Sequence, residues 1–356
     1  MKGKKGFEYY YEHLFDVVKL YFAKRDRVRI VKRRSMDSTL TKEQEKAIKE
    51  FYKPYAKTNP VFHRYYTSKT GVFCVDYIPH DIYIHIDTYF NDLRAARVVD
   101  NKCYYELLFP GVLQPHTVLK RINNIWLDTN DSVVTPSQMK EIVDAEKDGV
   151  FVKEAEESMG GIGVMYVESG PAAFDKIKEF ADKIKTDIVI QKKIVQHPDM
   201  AKINESSVNT LRIYSLLTKE GECKIYSSVV RMGVGKAKVD NFSSGGYCCG
   251  IKEDGTLRKY AYSKKAERID RHPDTDMVFD GYKIPSYEKA VELVKRLHPM
   301  HPHFRSVTWD IAIDENAQPV LIEVNLSRSG LDVLQLNNGP LYKEDTKLIL
   351  DEVFGK

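Results

Sequence analysis

Three oxygen-bearing side chains near the end of the chain have the spacing of a metal site. Glu323 lies thirteen positions after Asp310, and Asn325 follows two positions later, within the stretch VTWDIAIDENAQPVLIEVNLS. Two apolar, β-rich runs flank the turn-forming letters DENAQP, so we expect a hairpin. Because alternate residues share a strand face, Asp310 lies with Thr308 and Ala312. Glu323 and Asn325 likewise share a face of their strand, so the three oxygen donors converge.

These donors favour magnesium. Carboxylate and amide oxygens are hard ligands, and Mg²⁺ takes few of them from a protein while completing its shell with water and phosphates. Asp310, Glu323 and Asn325 therefore predict a nucleotide partner. An acidic residue in a strand before a polar turn is also common in exposed sheets, so this segment alone equally fits a structural hairpin.

The composition is that of a globular protein. The chain has 356 residues, 42% of them hydrophobic and 30% charged, which allows about two or three subdomains. Lys and Arg number 55 against 51 Asp and Glu, and this net charge of +4 is too small to indicate a nucleic-acid partner. The basic run KRDRVRIVKRR at residues 24–34 fits either a solvated face or contact with phosphates or an anionic membrane, and we assign it no function.

No membrane span or export signal is expected. The opening residues MKGKKGFEYYYEHLF lack an uninterrupted apolar segment, and no run of roughly 20 apolar residues occurs. We therefore expect a cytoplasmic protein. The five cysteines are odd in number and have no zinc-type spacing, so we expect reduced thiols, with Cys248 and Cys249 packed in a strand. His301 and His303 fit a loop better than a metal site.

The elements that must position the acidic residues form an α+β pattern. Residues 7–23 have apolar groups at helical spacing, and Thr41 with Gln44 forms a capping box that begins a helix through about Tyr52. The N-terminal hundred residues are thus helical and aromatic-rich. From about residue 150 short β-branched runs dominate, with a helix at 171–184, which predicts much antiparallel sheet.

Two further segments could bind a nucleotide. Lys153 precedes the loop SMGGIG (Ser158 to Gly163), which offers a cation and backbone N–H groups to phosphate, although glycines in a hairpin turn need no ligand. The strand IVIQKKIV has backbone groups from Gln191 to Ile194 that could pair with an adenine edge. An ordinary buried strand predicts the same letters.

Taken in order, these segments resemble the ATP-grasp superfamily, in which two α+β subdomains clasp ATP. The blocks DNKCYYELLF around Lys102, QHPDMAKINESSVNTLRIYSLL, and VVRMGVGKAKVDNFSSGGYCCGIKEDGTL resemble its sugar-transfer-associated branch. The resemblance covers roughly residues 60–335. It implies a helical, substrate-side region at 1–100, a lid subdomain at 101–190, and a C-terminal subdomain with the metal site at 191–356.

The resemblance implies a role for each motif. Lys102 and Lys153 would reach the ATP phosphates, the glycine loop would close over them, and the QKKI segment would frame adenine. Asp199 would contact ribose. The residues implied to bind ATP are Lys102, Lys153, Ser158, Gly160, Gly161, Gln191, Lys192, Ile194 and Asp199. Asp310, Glu323 and Asn325 would hold Mg²⁺ between the terminal phosphates.

The resemblance also implies catalytic residues. Arg212 and Arg231 would clamp carboxylate or phosphoryl oxygens, which suit a guanidinium fork, and the alternative for each is a surface salt bridge. Asn241 resembles an asparagine that contacts phosphate or substrate in related ligases. Several peptide-forming relatives have an arginine two residues before the first metal aspartate, where this chain has Thr308. Arg212 or Arg231 would take over its role.

The activity that the resemblance implies is the ADP-forming ligation of a small-molecule carboxylate to an amine through an acyl phosphate, with ATP and Mg²⁺. The family label suggests surface-polysaccharide or natural-product biosynthesis. Two alternatives stay open: a kinase that phosphorylates a small-molecule acceptor, and a catalytically idle nucleotide-binding module. All three metal ligands and both lysines are present, which argues against the idle module.

Overall fold

The computed structural model describes residues 39–156, 163–235, 245–326 and 329–355, together with Val28 and Val31. Four sequence predictions lie wholly or mainly outside these residues, namely the helix at 7–23, the basic run at 24–34, the loop Ser158 to Gly163, and Asn241. Within the described ranges, no helix is both long and apolar enough to cross a membrane.

Helices and antiparallel strands make up the described chain, which confirms the predicted α+β class. The α-helices are α1 (Lys42–Tyr52), α2 (Val61–Thr70), α3 (His80–Phe90), α4 (Leu93–Val99), α5 (Tyr105–Leu108), α6 (Pro136–Ala145), α7 (Ala173–Lys183), α8 (Pro198–Ala201), α9 (Tyr287–Leu297), α10 (Leu331–Asn338) and α11 (Thr346–Phe354). The strands are β1 (Thr117–Ile122), β2 (Ile125–Leu127), β3 (Val150–Glu154), β4 (Val164–Val167), β5 (Ile188–Lys192), β6 (Thr210–Leu217), β7 (Cys223–Met232), β8 (Tyr247–Ile251), β9 (Leu257–Ser263), β10 (Arg268–Ile269), β11 (Ser306–Ile313) and β12 (Pro319–Asn325).

The first of two compact units comprises residues 1–86 and 339–356, and its described part is helical. The predicted capping box begins α1: Gln44 N–H donates to Thr41 Oγ1 over 3.2 Å, and Thr41 N–H donates to Gln44 Oε1 over 2.9 Å. Tyrosine rings fill the core. Tyr66 stacks on Tyr77 with centroids 4.8 Å apart, and Tyr52 Oη donates to the Tyr77 carbonyl over 2.8 Å. Tyr52, Tyr66 and Tyr77 are therefore packing residues.

The second compact unit comprises residues 87–338 and contains both sheets. The five-stranded small sheet has the order β2-β1-β5-β3-β4, and α6 and α7 supply apolar side chains to its core. Every strand pair in it is antiparallel. The helix predicted at 171–184 is α7, because its apolar residues Ala173, Ile177 and Ala181 recur on one buried face.

The seven-stranded large sheet has the order β10-β9-β8-β7-β6-β11-β12, again fully antiparallel. Cys248 and Cys249 lie buried in β8 as predicted, and neither forms a disulfide. One face packs on an apolar core that includes Trp309 of β11. Gly250 of β8 approaches α10 so closely that a Cβ atom would lie 2.6 Å from Asn338 Oδ1. The sheet thus packs on an apolar core on one face and closely approaches α10 at Gly250.

A buried histidine, His298, is linked to β11 by hydrogen bonds. His298 Nε2 donates to the Phe304 carbonyl over 2.8 Å, because a carbonyl can only accept. Its Nδ1 therefore accepts from Ser215 Oγ over 2.8 Å, and Ser215 Oγ accepts from Trp309 Nε1 over 2.8 Å. Burial lowers the pKa of His298 from its ordinary value of 6.5 to about 4. The ring is therefore neutral, and it fixes the strand that carries Asp310.

The proposed three-part division differs from the compact units in two places. The predicted boundary at residue 190 falls inside β5, so the small sheet continues to Lys192. Residues 339–356 cluster with the N-terminal helices rather than with the large sheet. The assignment of a lid and a metal-binding subdomain stays a prediction.

Candidate active site

The predicted hairpin is present and brings the acidic residues side by side. Asp314 Oδ1 accepts from the N–H groups of Asn316, over 3.0 Å, and Gln318, over 2.7 Å, and these bonds stabilise the turn between β11 and β12. The strand register places Asp310 opposite Glu323. Cross-strand partners have neighbouring side chains on one face. The two carboxylates therefore lie together, as predicted.

Asn325 joins this pair. It lies opposite Thr308 in the register, and its Nδ2 is 3.4 Å from Asp310 Oδ2. The hydroxyl of Thr308 is fully buried, and it neither donates nor accepts a hydrogen bond among the described residues. This hydroxyl lies beside two carboxylates and an amide. A buried hydroxyl without a hydrogen bond fits a site that binds a further group.

Two arginines, one on the neighbouring strand β6 and one on the next strand β7, bind Asp310. Arg212 of β6 donates through Nε to Oδ1 over 2.8 Å and through Nη2 to Oδ2 over 2.6 Å. Arg231 of β7 donates through Nη1 to Oδ2 over 2.7 Å. Burial opposes ionisation of Asp310, but the two guanidinium charges and their hydrogen bonds outweigh it and lower its pKa. Asp310 is therefore a carboxylate at neutral pH.

These arginine contacts are ion pairs in the interior of the protein. The alternative expected from the sequence was that Arg212 and Arg231 each form a salt bridge at the surface. Both do form ion pairs, but Asp310 is only 2% exposed, and the arginines are 17% and 14% exposed. The pairs are therefore interior and bidentate on the Arg212 side, a geometry that fixes orientation.

Glu323 has its own cation. Lys102 Nζ donates to Glu323 Oε1 over 2.7 Å, and the lysine side chain is 8% exposed against 25% for the glutamate. Two carboxylates thus lie among three cations, Lys102, Arg212 and Arg231. The cluster carries a surplus of one positive charge, which suits an anionic ligand such as a phosphate.

The donor set fits Mg²⁺. The two carboxylates are close together, and Asn325 adds an amide oxygen. The carboxylate oxygens already bind the positive charges of Lys102, Arg212 and Arg231. Among the described residues no group of three or more His, Cys, Asp or Glu is placed to hold a metal ion, so the site depends on Asn325 as the third ligand. A metal ion would compete with the arginines and the lysine for the carboxylate oxygens.

A second group of predicted residues lies on the small sheet. Lys153 Nζ donates to Gln191 Oε1 over 3.0 Å, across β3 and β5. Gln191 is 6% exposed, and its Nε2 donates to the Pro115 carbonyl over 3.4 Å. Lys192 pairs with Glu146 over 3.0 Å, and its backbone N–H donates to the His116 carbonyl. The structure thus brings Lys153 and Gln191 together.

The remaining predicted residues lie elsewhere or outside the described ranges. Asp199 lies on α8, where its carboxylate accepts from Lys202 Nζ over 2.6 Å, and this hydrogen bond lowers its pKa. Ile194 is partly buried just after β5. Ser158, Gly160, Gly161 and Asn241 lie outside the described residues. Gly163, the last residue of the glycine loop, contacts the end of β3, since the Glu154 N–H donates to the Gly163 carbonyl over 2.8 Å.

Sequence reasoning missed two residues that contact the segment carrying Glu323 and Asn325. Asn91 Nδ2 donates to the Leu326 carbonyl over 2.6 Å, and Tyr105 Oη accepts from the Val324 N–H over 2.9 Å. Each lies more than two hundred positions from its partner. For Tyr105 the only sequence signal is its place three residues after Lys102.

The two antiparallel sheets and the acid- and amide-bearing hairpin are features of an ATP-grasp fold. The family described as sugar-transfer associated ATP-grasp matches residues 84–349, more than half of the chain, so the chain belongs to that family. This confirms the resemblance found in the sequence. No curated protein matches the chain.

Several solved structures are similar. VanG D-Ala:D-Ser ligase from Enterococcus faecalis has 15% identity and a TM-score of 0.44 over 74% of this chain and 62% of its own. D-alanyl-alanine synthetase A from Vibrio cholerae has 11% identity and a TM-score of 0.43 over 72% and 65%. N5-carboxyaminoimidazole synthase from Aspergillus clavatus has 14% identity and a TM-score of 0.40 over 78% of this chain and 58% of its own. The matches span less than two thirds of each of these chains.

Proposed function

We propose that the protein is an ATP- and Mg²⁺-dependent ligase that joins a small-molecule carboxylate to an amine and releases ADP and phosphate. The observation that carries this proposal is the cluster of Asp310 and Glu323 with Arg212, Arg231 and Lys102 on one sheet face. Membership of an ATP-grasp family supports it. A cytoplasmic location and a role in surface-polysaccharide or natural-product biosynthesis belong to the same proposal.

Several of the predicted residues have a task in this reaction. Asp310, Glu323 and Asn325 would hold Mg²⁺, which when bound neutralises charge on the transferring phosphoryl group. Arg212 and Arg231 donate to Asp310 and are 17% and 14% exposed, so their guanidinium groups could also bind phosphoryl oxygens. Lys153 and Gln191 on the small sheet would contact the nucleotide.

The chemistry needs no protein nucleophile. A substrate carboxylate oxygen attacks the γ-phosphorus of ATP, and ADP leaves with the electrons of the broken bond. The amine nitrogen then attacks the carbonyl carbon of the acyl phosphate, phosphate leaves, and the nitrogen loses a proton. The protein contributes position and fixed positive charge, which are the main sources of rate enhancement in phosphoryl transfer.

Phosphorylation of an acceptor without ligation is the second candidate. Thr308 is buried at the position where several peptide-forming relatives have an arginine, so the group that would stabilise a tetrahedral intermediate differs here. A kinase has no such intermediate. Arg212 and Arg231 serve the phosphoryl group in either reaction.

The test is Mg²⁺-dependent ADP release from ATP across pools of amino acids, carboxylated sugars and amines, with mass spectrometry of positive pools. A product lighter by one water than its two substrates establishes ligation, and a product with an added phosphate establishes the kinase. ATP binding without turnover in any pool would favour the idle nucleotide-binding module.

Two glutamate variants make this test specific. Glu323→Gln should lose turnover, because it removes a metal-ligand charge with little change in volume. Glu288→Gln is the matched control, because Glu288 also pairs with a lysine, Lys283 over 2.8 Å, but is 58% exposed on α9. Equal turnover in Glu323→Gln and the control would overturn the site assignment.

A further inference from the structure

The strand that carries Glu323 and Asn325 is an edge strand. β12 is the last strand of the large sheet, so among the described residues one side of its backbone has no neighbouring strand. Backbone polar groups in such a position require other partners. The Leu321 N–H donates to the Leu113 carbonyl over 2.8 Å, and the Leu326 carbonyl accepts from Asn91. Between these two contacts, the Val324 N–H donates to a side chain, the hydroxyl of Tyr105.

Tyr105 is buried at this contact. Its side chain is 3% exposed, and its ring lies edge-on to Phe109 with centroids 5.4 Å apart. Burial first, and then the charge of Glu323, raise the pKa of Tyr105 well above its ordinary value. The hydroxyl therefore stays protonated and neutral, and it can accept from the Val324 N–H at any ordinary pH. Val324 is the residue between Glu323 and Asn325, so its backbone sets the direction of both side chains.

The turn that presents Tyr105 is itself fixed to the small sheet. Asn101 Nδ2 donates to Asp187 Oδ2 over 2.8 Å, and Cys103 Sγ donates to the Ile188 carbonyl over 3.4 Å. The backbone N–H of Lys102 donates to the Ala155 carbonyl over 2.9 Å. From this anchored turn, Lys102 reaches Glu323. One short turn thus contacts the small sheet by its first residues and β12 by Lys102 and Tyr105.

We propose that Tyr105 is a positioning residue for the candidate metal site: its hydroxyl holds the Val324 backbone so that Glu323 and Asn325 face Asp310. The inference rests on the proposed function. It adds a residue that touches neither nucleotide nor metal and acts only through the strand. Loss of a hydrogen bond that orients metal ligands typically weakens metal affinity by about 10-fold to 100-fold.

The test measures metal affinity directly. Mn²⁺ is the probe, and its binding is followed by electron paramagnetic resonance with a saturating non-hydrolysable ATP analogue. Tyr105→Phe keeps the ring and removes only the hydroxyl. We expect Mn²⁺ affinity to fall about tenfold, the lower end of that range, while affinity for the analogue without metal stays unchanged.

Tyr287→Phe is the matched control. Tyr287 is also buried, at 5% exposure, and its hydroxyl donates to Ser228 Oγ over 2.8 Å, on β7 rather than β12. Both variants lose one buried hydrogen bond, so a general loss of stability would affect them alike. We expect the control to bind Mn²⁺ within about twofold of the wild type. Equal Mn²⁺ affinity in Tyr105→Phe and Tyr287→Phe would overturn the positioning role.

The wild-type measurement separates this inference from the proposed function. A wild type that binds no Mn²⁺ with the analogue would overturn the metal site and the inference together. A wild type that binds Mn²⁺ and a Tyr105→Phe variant that binds it equally well would overturn only the inference. Should Tyr105→Phe not fold, hydrogen exchange of the wild type decides. Amides of residues 101–105 and 323–325 should then open together, and independent opening would contradict the role of Tyr105.

Discussion

The charged candidate residues on the two sheets of the second unit differ in burial and in the number of their partners. On the large sheet, Asp310 is 2% exposed and bound by two arginines, from β6 and β7. On the small sheet, Lys192 is 45% exposed and pairs with the single carboxylate of Glu146. Partners on rigid strands fix Asp310 in the large sheet, whereas Lys192 at the end of β5 lies nearer to solvent. Changes at Asp310 should therefore affect both stability and function, and changes at the candidate nucleotide-binding lysines of the small sheet chiefly nucleotide affinity.

Asp310→Asn should have the largest effect. The substitution leaves Arg212 and Arg231 without a charged partner in a buried site, and breaking such a pair costs about 3 to 5 kcal/mol. We expect the free energy of unfolding, measured by urea titration, to fall by about 3 kcal/mol, with loss of any turnover. Asp270→Asn is the control, because Asp270 is 56% exposed beside Arg271. A loss no larger than that of the control would contradict the difference between the sheets.

The buried His298 should make the large sheet sensitive to acid. Its pKa of about 4 in the folded protein lies below the ordinary value of 6.5, so the unfolded chain binds the proton more tightly. Stability is then complete above about pH 6.5 and falls with pH toward about 4. Between pH 7.5 and 5 the contribution is about 2 kcal/mol.

A histidine variant isolates this contribution. His298→Asn should reduce the dependence of the unfolding free energy on pH by that amount, although its own stability will be lower at every pH. The exposed His85 provides the control variant, His85→Asn, which should keep the wild-type dependence. An unchanged pH dependence in His298→Asn would show that the ring is not held neutral.

Lys153→Ala should have the smallest effect on stability. Lys153 donates to Gln191 at the small sheet, and its removal deletes one charge-assisted hydrogen bond to phosphate in the proposed complex. We expect affinity for an ATP analogue, measured by calorimetry, to fall about tenfold, with the unfolding free energy changed by at most about 0.5 kcal/mol. Lys183→Ala serves as the control, because Lys183 is 70% exposed on α7. Unchanged affinity in Lys153→Ala would exclude a phosphate contact.

Local patterns in the sequence predicted the parts of the site that depend on neighbouring residues. The turn letters predicted the hairpin that brings Asp310 and Glu323 together, and the capping box predicted the start of α1. Both depend on residues close in sequence, where turn chemistry and alternation decide the structure. The family blocks then supplied the expected fold.

The contacts across the large sheet could not be predicted in this way. Arg212 lies ninety-eight positions from Asp310, and Lys102 lies 221 positions from Glu323. Their meeting depends on the strand order β7-β6-β11-β12, which is not the order in the chain. The hydrogen bond to the Tyr105 hydroxyl could not be predicted for the same reason. A tyrosine in an apolar run predicts packing, and only the edge position of β12 gives its hydroxyl a partner.

The most direct test of the site is the Mg²⁺ dependence of nucleotide binding. Calorimetry would compare the affinity for a non-hydrolysable ATP analogue with and without Mg²⁺, in the wild type and in Glu323→Gln. If the carboxylates beside Arg212, Arg231 and Lys102 hold the metal, Mg²⁺ should strengthen binding in the wild type and have little effect in the variant. Equal strengthening by Mg²⁺ in both proteins would contradict the account.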